Sequence, residues 1–460
     1  MEGTAKRYSF RVGNVLFLMM EPMISRKLRV AALLAGLVLP LLLARGAAEE
    51  QAAEDPAPQK REKKKKKRDK KKRDSGSVRF LMRKHPSLRF GDTLRVDLRA
   101  KFQGDLRGFS PDLETREGLF DLRRARVGLQ GEFLKHFEYE VERELEKVAH
   151  PWRDVYVNFR YFRDLQIQVG KFKMPFSMNQ LTGPANLDFI LRSRIGAQLA
   201  PARDVGVMAH GRFFQRGLNY QAGVFRHDGE NGGVGGRSVA ARLTGTPLRL
   251  TPAPGLLRDV ELGGAFTYSR VPEGLSGLLG RAVSGHDFFE PVNVHGPRLR
   301  LGTELQWTPG PFSVKGEYIR VSEQRRGQGL FLDDLPAVIS RGWYVSATWT
   351  ITGEKKSGGI EPRQDFLLEG PTGAVELAAR YEHAGFSGRP HPGAPLRNPR
   401  AANLLGNSDR LWTLGVNWYL NRFTKIQFNG VREKIVDTQR SPISGREKFW
   451  SALCRLQVVL

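Results

Sequence analysis

The sequence predicts an all-β protein: a sixteen-stranded antiparallel transmembrane β-barrel with an inward-folding third external loop. Three observations lead there. Stretches such as "LRVDLRAKFQ" (94–103) alternate almost without error, with Leu94, Val96, Leu98, Ala100 and Phe102 on one side and Arg95, Asp97, Arg99 and Lys101 on the other. A strand sends successive side chains to opposite faces, so this is a ribbon with one oily and one charged face. Such stretches recur sixteen times, most at the ~10-residue length that a tilted strand needs to cross a bilayer. The links between them alternate between short turns and long loops, as in barrels of the bacterial outer membrane.

The segments that precede the strands read differently. Arg26, Lys27 and Arg29 lead into the apolar run "VAALLAGLVLPLLL" (30–43) and then the small residues "ARGAA" (44–48), which is the order of a secretory signal peptide spanning 1–48. The apolar run is shorter than the ~20 residues of a spanning helix. Residues 49–77 contain "KREKKKKKRDKKKRD" (60–74), which has no apolar residue to bury. It reads as a disordered periplasmic tether, or as an electrostatic contact for an anionic polymer or lipid surface. Residues 78–460 form the barrel domain.

The candidate strands are, in order, 94–103, 122–133, 137–146, 153–162, 164–172, 203–214, 217–226, 236–246, 258–270, 297–309, 311–321, 341–352, 373–383, 409–419, 423–433 and 448–460. Turns as short as "LKH", "QR", "GP" and "LNR" join alternate pairs. The other links are mostly long, at 104–121, 173–202, 271–296, 322–340, 384–408 and 434–447. Segments 247–257 and 353–372 fall on the short-turn side and break the pattern. Oily faces carry Trp307, Trp343, Trp349, Trp412 and Trp418 where an aromatic girdle would sit. In the last strand Trp450, Ala452, Cys454, Leu456, Val458 and Leu460 share a face, and Arg455 and Gln457 take the other. Cys454, the one cysteine, reads there as a small lipid-facing hydrophobe.

Charge narrows the partners. The chain of 460 residues has a formal net charge of +26 and a mean hydropathy of −0.41. Residues 1–48, 49–59 and 60–74 contribute +5, −4 and +9, which leaves +16 on the rest. A basic body favours an anionic partner. A single cysteine excludes an intrachain disulfide and a cysteine-held metal. No nucleophile–base pair, metal-ligand cluster or phosphate-binding loop appears, so neither an enzyme nor a cofactor is expected.

Several stretches resemble the phosphate-selective porin family, the O/P porins: "DLRRARVGLQGEF" (121–133), "WRDVYVNFRYF" (152–162), "VGKFKMPFSMNQLTGPANLDFILRS" (169–193), "ARDVGVMAHG" (202–211), "GWYVSATWTITGEK" (342–355), "GAVELAARYEHAGF" (373–386), "LGVNWYLN" (414–421) and "RLQVVL" (455–460). They follow the family's order from about residue 90 to 460. The resemblance implies an outer-membrane barrel, usually a homotrimer, that passes small anions, phosphate or polyphosphate among them. It matches the family's paired arginines to Arg123 and Arg124, of which Arg124 has inward parity.

If the exterior faces lipid, the polar faces line the lumen. That yields ten candidate pore-lining or anion-binding residues: Arg95, Arg99 and Lys101 on the first strand, Arg124 and Arg126 on the second, and Lys171, Lys173, Arg192, Arg194 and Arg203 bracketing the third long loop, 173–202. Pro175, Gly183 and Pro184 favour an irregular path for that loop. Guanidinium groups stay charged and meet phosphate through a planar fork. Glu138, Glu140, Glu142 and Glu144 of the third strand also point inward. Opposite the arginines they would form a cross-strand charge lattice, which weakens strict phosphate selectivity. Rival readings are a general diffusion pore, an envelope-anchoring protein that uses the lysine run, and a basic nucleic-acid binder. The last is disfavoured because the aromatics sit on the oily faces and do not interleave with the bases. Besides small inorganic anions, the expected partners are outer-membrane lipid and lipopolysaccharide.

Overall fold

A computed structural model describes residues 78–460, apart from 83–84, 112–119, 147, 215–216, 234, 253, 330, 357–358, 367–369, 371 and 389–403. The stretch expected to be a signal peptide and the lysine run fall outside the described residues. Sixteen antiparallel strands close into one barrel. They are β3 (Leu94–Ser110), β4 (Phe120–Phe133), β5 (Phe137–Glu144), β6 (Trp152–Phe159), β7 (Gln166–Lys173), β8 (Arg203–Phe213), β9 (Leu218–Phe225), β10 (Ser238–Gly245), β11 (Glu261–Leu275), β14 (Asn293–Trp307), β15 (Phe312–Arg325), β16 (Leu335–Thr350), β17 (Ala374–Gly388), β18 (Asn407–Tyr419), β19 (Thr424–Ile435) and β20 (Lys448–Val459). The last closes on the first, with Gln457 opposite Gln103 and Arg455 opposite Asp105. Closure leaves no unpaired strand edge, which is what a β-structure in lipid requires.

All sixteen expected strands form, and several run further toward the long-loop end than their alternation indicated. β16 begins at Leu335 and β17 ends at Gly388. Four short strands were not expected. β1 (Val78–Met82) and β2 (Pro86–Phe90) make a hairpin that pairs with residues 94–97 of β3, just beyond the stretch that β20 covers. β12 (Gly280–Arg281) and β13 (Asp287–Phe289) make a second hairpin inside the loop 276–292. The two segments that broke the turn pattern are real: β10 and β11 are joined by 246–260, and β16 and β17 by 351–373.

The two faces sort as the alternation demands. Leu98, Phe102, Val127, Leu129, Trp349, Leu414 and Phe428 are exposed on the outside, while Lys101, Gln103, Asp105, Arg126, Gln427 and Arg455 are buried inside. Tyr and Trp rings lie toward both ends of the outer face; at the short-turn end Phe312 stacks on Trp349 at 5.8 Å and the Trp418 Nε1 donates to the Thr372 carbonyl at 2.7 Å.

The interior is not uniformly polar. Inward positions of β15–β20 carry Ile319, Val321, Val338, Phe386, Ile435 and Phe449. These pack with Ile195 and Leu199 of the segment 174–202 and with Leu278, Phe288 and Phe289 of the loop 276–292. Phe289 stacks on Phe386 at 4.8 Å. A second patch joins Ile190 to Leu411, Val431 and Leu453. Water would otherwise fill this space, so burying these side chains is driven by the ordinary hydrophobic effect, unlike anything on the lipid side. The loop 226–237 covers the assembly from above. Gly229 there has φ +83°, and a Cβ would lie 2.0 Å from the Pro201 carbonyl oxygen, so only glycine allows this approach.

Candidate functional site

The segment 174–202 organises the interior. It is irregular, as its prolines and glycine indicated: a single helical turn Met178–Leu181, a 3-10 turn Pro184–Asn186 and a π-turn Ile195–Leu199. An irregular backbone leaves donors and acceptors unpaired, and here inward-facing side chains satisfy them. The Asn179 amide donates to Glu317 at 2.6 Å. The carbonyls of Ala185 and Leu187 each accept from Lys425 at 3.1 Å, and those of Ile190 and Leu191 accept from Arg455 (2.8 Å) and Arg380 (3.0 Å). Asp188 pairs with Lys315 at 2.8 Å and with Lys356 at 2.6 Å. Lys356 comes from the 351–373 connection, so that unexpectedly long link reaches this segment.

Seven of the ten candidate bases are neutralised by carboxylates. Arg95 meets Asp97 at 3.1 Å, Lys101 meets Glu142 at 3.0 Å, and Arg99 pairs with Glu140. Arg126 bridges Glu142 (3.0 Å) and Glu144 (2.6 Å). Lys171 pairs with Glu230 (2.8 Å), Arg203 with Asp154 (2.6 Å), and Arg194 with Asp409 (2.9 Å) and Glu433. The glutamate row of β5 is therefore spent on a cross-strand lattice, through the register that sets Gly128 against Glu142 and Arg126 against Glu144.

Arg124, Lys173 and Arg192 differ. None has a carboxylate partner among the described residues, all three are partly exposed, and they gather around one turn, Thr182–Gly183–Pro184. Lys173 Nζ donates to the carbonyls of Leu181 (2.9 Å) and Thr182 (3.0 Å). Arg192 donates to the same Thr182 carbonyl at 2.7 Å and to that of Asn179. Arg124 donates to Gln103 at 2.7 Å, and Gln103 in turn donates to the Pro184 carbonyl at 3.4 Å. Arg124 and Lys173 both lie within electrostatic reach of Arg192. These three bases are held by neutral carbonyls and an amide, with no carboxylate to balance them.

Beside this turn lies a polar cavity of about 290 Å³. It is lined by Arg99, Lys101, Lys173 and Arg203, by Glu140, Glu142 and Asp154, and by Tyr156, Gln168 and Gln221. Phe172 and Met208, part of a small apolar patch with Phe225, form its dry side. Lys425, Gln103 and Asp154 were not among the candidates. Each had inward parity in its strand, but parity does not reveal which inward residues meet the 174–202 segment.

A family model described as phosphate-selective porin O and P matches residues 96–459. No curated protein matches. Among solved structures, OmpT, an outer membrane protein of Vibrio cholerae, is 12% identical, with a TM-score of 0.52 over 80% of this chain and 98% of that one. An anion-selective porin from Comamonas acidovorans is 12% identical, with a TM-score of 0.50 over 80% of this chain and all of that one, 100%. A trimer form of the Vibrio cholerae OmpT is 11% identical, with a TM-score of 0.50 over 80% and 100%. At these identities the likeness is one of fold.

Proposed function

We infer how this chain works from what it is: it belongs to the phosphate-selective porin O and P family, and a porin of the outer membrane passes small hydrophilic solutes by diffusion through its lumen. Small anions cross along the β3–β9 wall and meet Arg124, Lys173 and Arg192 at the narrowest point, beside the Thr182–Pro184 turn. One observation carries this: among the ten candidate bases, these three are the ones without a carboxylate. A paired base contributes little net field, whereas an unpaired one between low-dielectric walls attracts its counter-ion strongly. Phosphate fits three donors of this kind, two of them guanidinium forks. The segment 174–202 acts as the inward-folded third external loop and narrows the channel. The trimer form known for a protein of similar fold supports a homotrimer.

A general diffusion pore is the second reading, and the neutral lattice of Arg99, Lys101 and Arg126 with Glu140, Glu142 and Glu144 favours it. Planar-bilayer recordings across a potassium chloride gradient decide between them. With anion transport at the three bases, Arg124→Gln, Lys173→Gln and Arg192→Gln together move the reversal potential toward cations and relieve block of chloride current by phosphate. An unchanged reversal potential at low salt would leave the general pore as the better account. The effect shrinks in high salt, because exposed charges are screened over about 10 Å at 0.1 M.

A further inference from the structure

We propose that the outer face of β15–β20, at its extracellular end, binds the phosphorylated headgroup of an outer-leaflet glycolipid. Like charges stand directly opposite one another there. Arg320 on β15 faces Arg341 on β16, and Arg410 on β18 faces Lys434 on β19, which faces Lys448 on β20. All point outward, because their neighbours in each strand, such as Ile319, Asp409 and Glu433, are buried inside. Glu447 lies 2.9 Å from Lys434 and 2.8 Å from Lys448. Arg320, Arg341 and Arg410 are exposed and have no carboxylate partner among the described residues. Like charges in direct cross-strand register destabilise a sheet unless an anion joins them.

The level of these bases identifies the anion. Each stands one outward position beyond an exposed aromatic ring: Arg320 beyond Tyr318, Arg341 beyond Trp343, Arg410 beyond Trp412 and Lys448 beyond Trp450. Tyr318 is itself opposite Trp343. Rings of this kind settle at the headgroup level of a membrane. The next outward position therefore meets the phosphates of the leaflet surface.

The same strands offer a seat for the rest of the molecule. An apolar depression of about 600 Å³ lies toward the membrane interior, floored by Ala347, Ala379 and Gly430 and walled by Leu414, Val416 and Phe428. Arg410 and Leu414 are four residues apart on one strand, roughly 13 Å at the usual rise. Phosphate-binding bases above an acyl-sized depression suit an acylated, phosphorylated lipid. A dissolved phosphate would use only the upper half.

The test uses the full chain purified in non-ionic detergent. The probe is a diphosphorylated, acylated glucosamine disaccharide, compared with its dephosphorylated form and with inorganic phosphate. Lipid retained after gel filtration is quantified for the parent, for Arg320→Gln/Arg341→Gln/Arg410→Gln and for Ala379→Phe, which fills the depression and leaves every charge. Retention should fall about tenfold or more in the triple variant, given the energy that each base gains near an anionic surface. Its single-channel conductance should stay at the parent value, since these side chains face outward. Retention should also fall in Ala379→Phe, which reports independently if the triple variant does not fold. The proposal fails if both variants retain lipid like the parent, if the dephosphorylated form is retained as well as the phosphorylated one, or if inorganic phosphate at equal concentration displaces the lipid. It also fails if the variants lose their oligomeric state and not their lipid, since the face would then lie between copies of the chain.

Discussion

The two walls of the barrel share one fold rule and use their interiors differently. Along β5–β7 and β9–β10 the strands are eight residues long, and the inward face around β3–β8 is charged, lattice-paired and open to the polar cavity. Along β14–β20 the strands run from twelve to sixteen residues, and the inward face at the extracellular end sets apolar side chains among buried ion pairs and is covered by residues 190–199 and 278–289. Inward therefore means wet on one wall and dry on the other. The lesson is that a barrel with sixteen strands need not offer its full cross-section to solutes. Two loops pack inside one side, and the proposed path for solutes runs past the polar wall.

The covered wall should be the easier one to break. At the rim, Asp228 of the 226–237 loop pairs with Arg300 at 2.7 Å and with Arg298, and both arginines are fully buried. Arg298 Nε also donates to Glu323 at 2.8 Å. Asp228→Ala leaves buried cations short of a partner, a loss that typically costs about 3–5 kcal/mol. We expect a clear drop in the temperature at which the folded band disappears on semi-native gels, with noisier open-channel current as the loop comes free. Phe386→Ala should follow closely. It removes the ring between Phe288 and Phe289, with a cost of about 3–5 kcal/mol for a large buried aromatic. If single-channel conductance does not rise in either variant, the covered wall does not restrict the path.

The polar wall should respond in selectivity more than in stability. Glu142 holds both Lys101 and Arg126. Glu142→Gln should free Lys101, leave Arg126 on Glu144 alone, and shift the reversal potential toward anions by a few-fold in permeability ratio. That is the opposite sign to the loss of Arg124, Lys173 and Arg192. Equal signs in the two experiments would mean that the lattice and the unpaired bases do not divide the work as described.

The smallest effect belongs to the rim outside the membrane. Hydrogen bonds from Lys448 and Lys434 hold the Glu447 carboxyl down at about 2, below its ordinary value of 4.5. A depressed carboxyl contributes stability above its unfolded pKa and loses it as pH falls through its folded one. Any difference in thermal midpoint between the parent and Glu447→Gln should be present at pH 6 and gone by pH 2. Because the carboxyl is fully exposed, that difference should be smaller than for any buried substitution above.

The strands were legible because the two-residue period is local: each side chain's face is set by its own backbone, whatever lies across the lumen. The lattice was half legible. The inward parity of Arg126 and Glu142 follows from β4 and β5 separately, but their pairing depends on the register, which the "LKH" turn fixes. The strand extensions beyond Val321 and before Arg341 were missed for two reasons: residues 322–325 are all polar, and residues 335–340 carry apolar side chains on both faces. Val321 and Val338 point inward against the loops, so the alternation fades where the interior is dry. The same blurring hid the covered wall.

Sequence alone thus determined the number of barrel strands, the face of each of their residues and the total of inward charge, since these follow from the local period and from counting. Tertiary structure decided which charges remain available. Arg124 and Arg126 stand two residues apart with the same parity, yet Arg126 is held by Glu142 and Glu144 while Arg124 rests on Gln103 beside the Thr182–Pro184 turn. A charge's effect depends on its nearest counter-charge, and here that is supplied by a neighbouring strand or withheld by a loop far away in the chain.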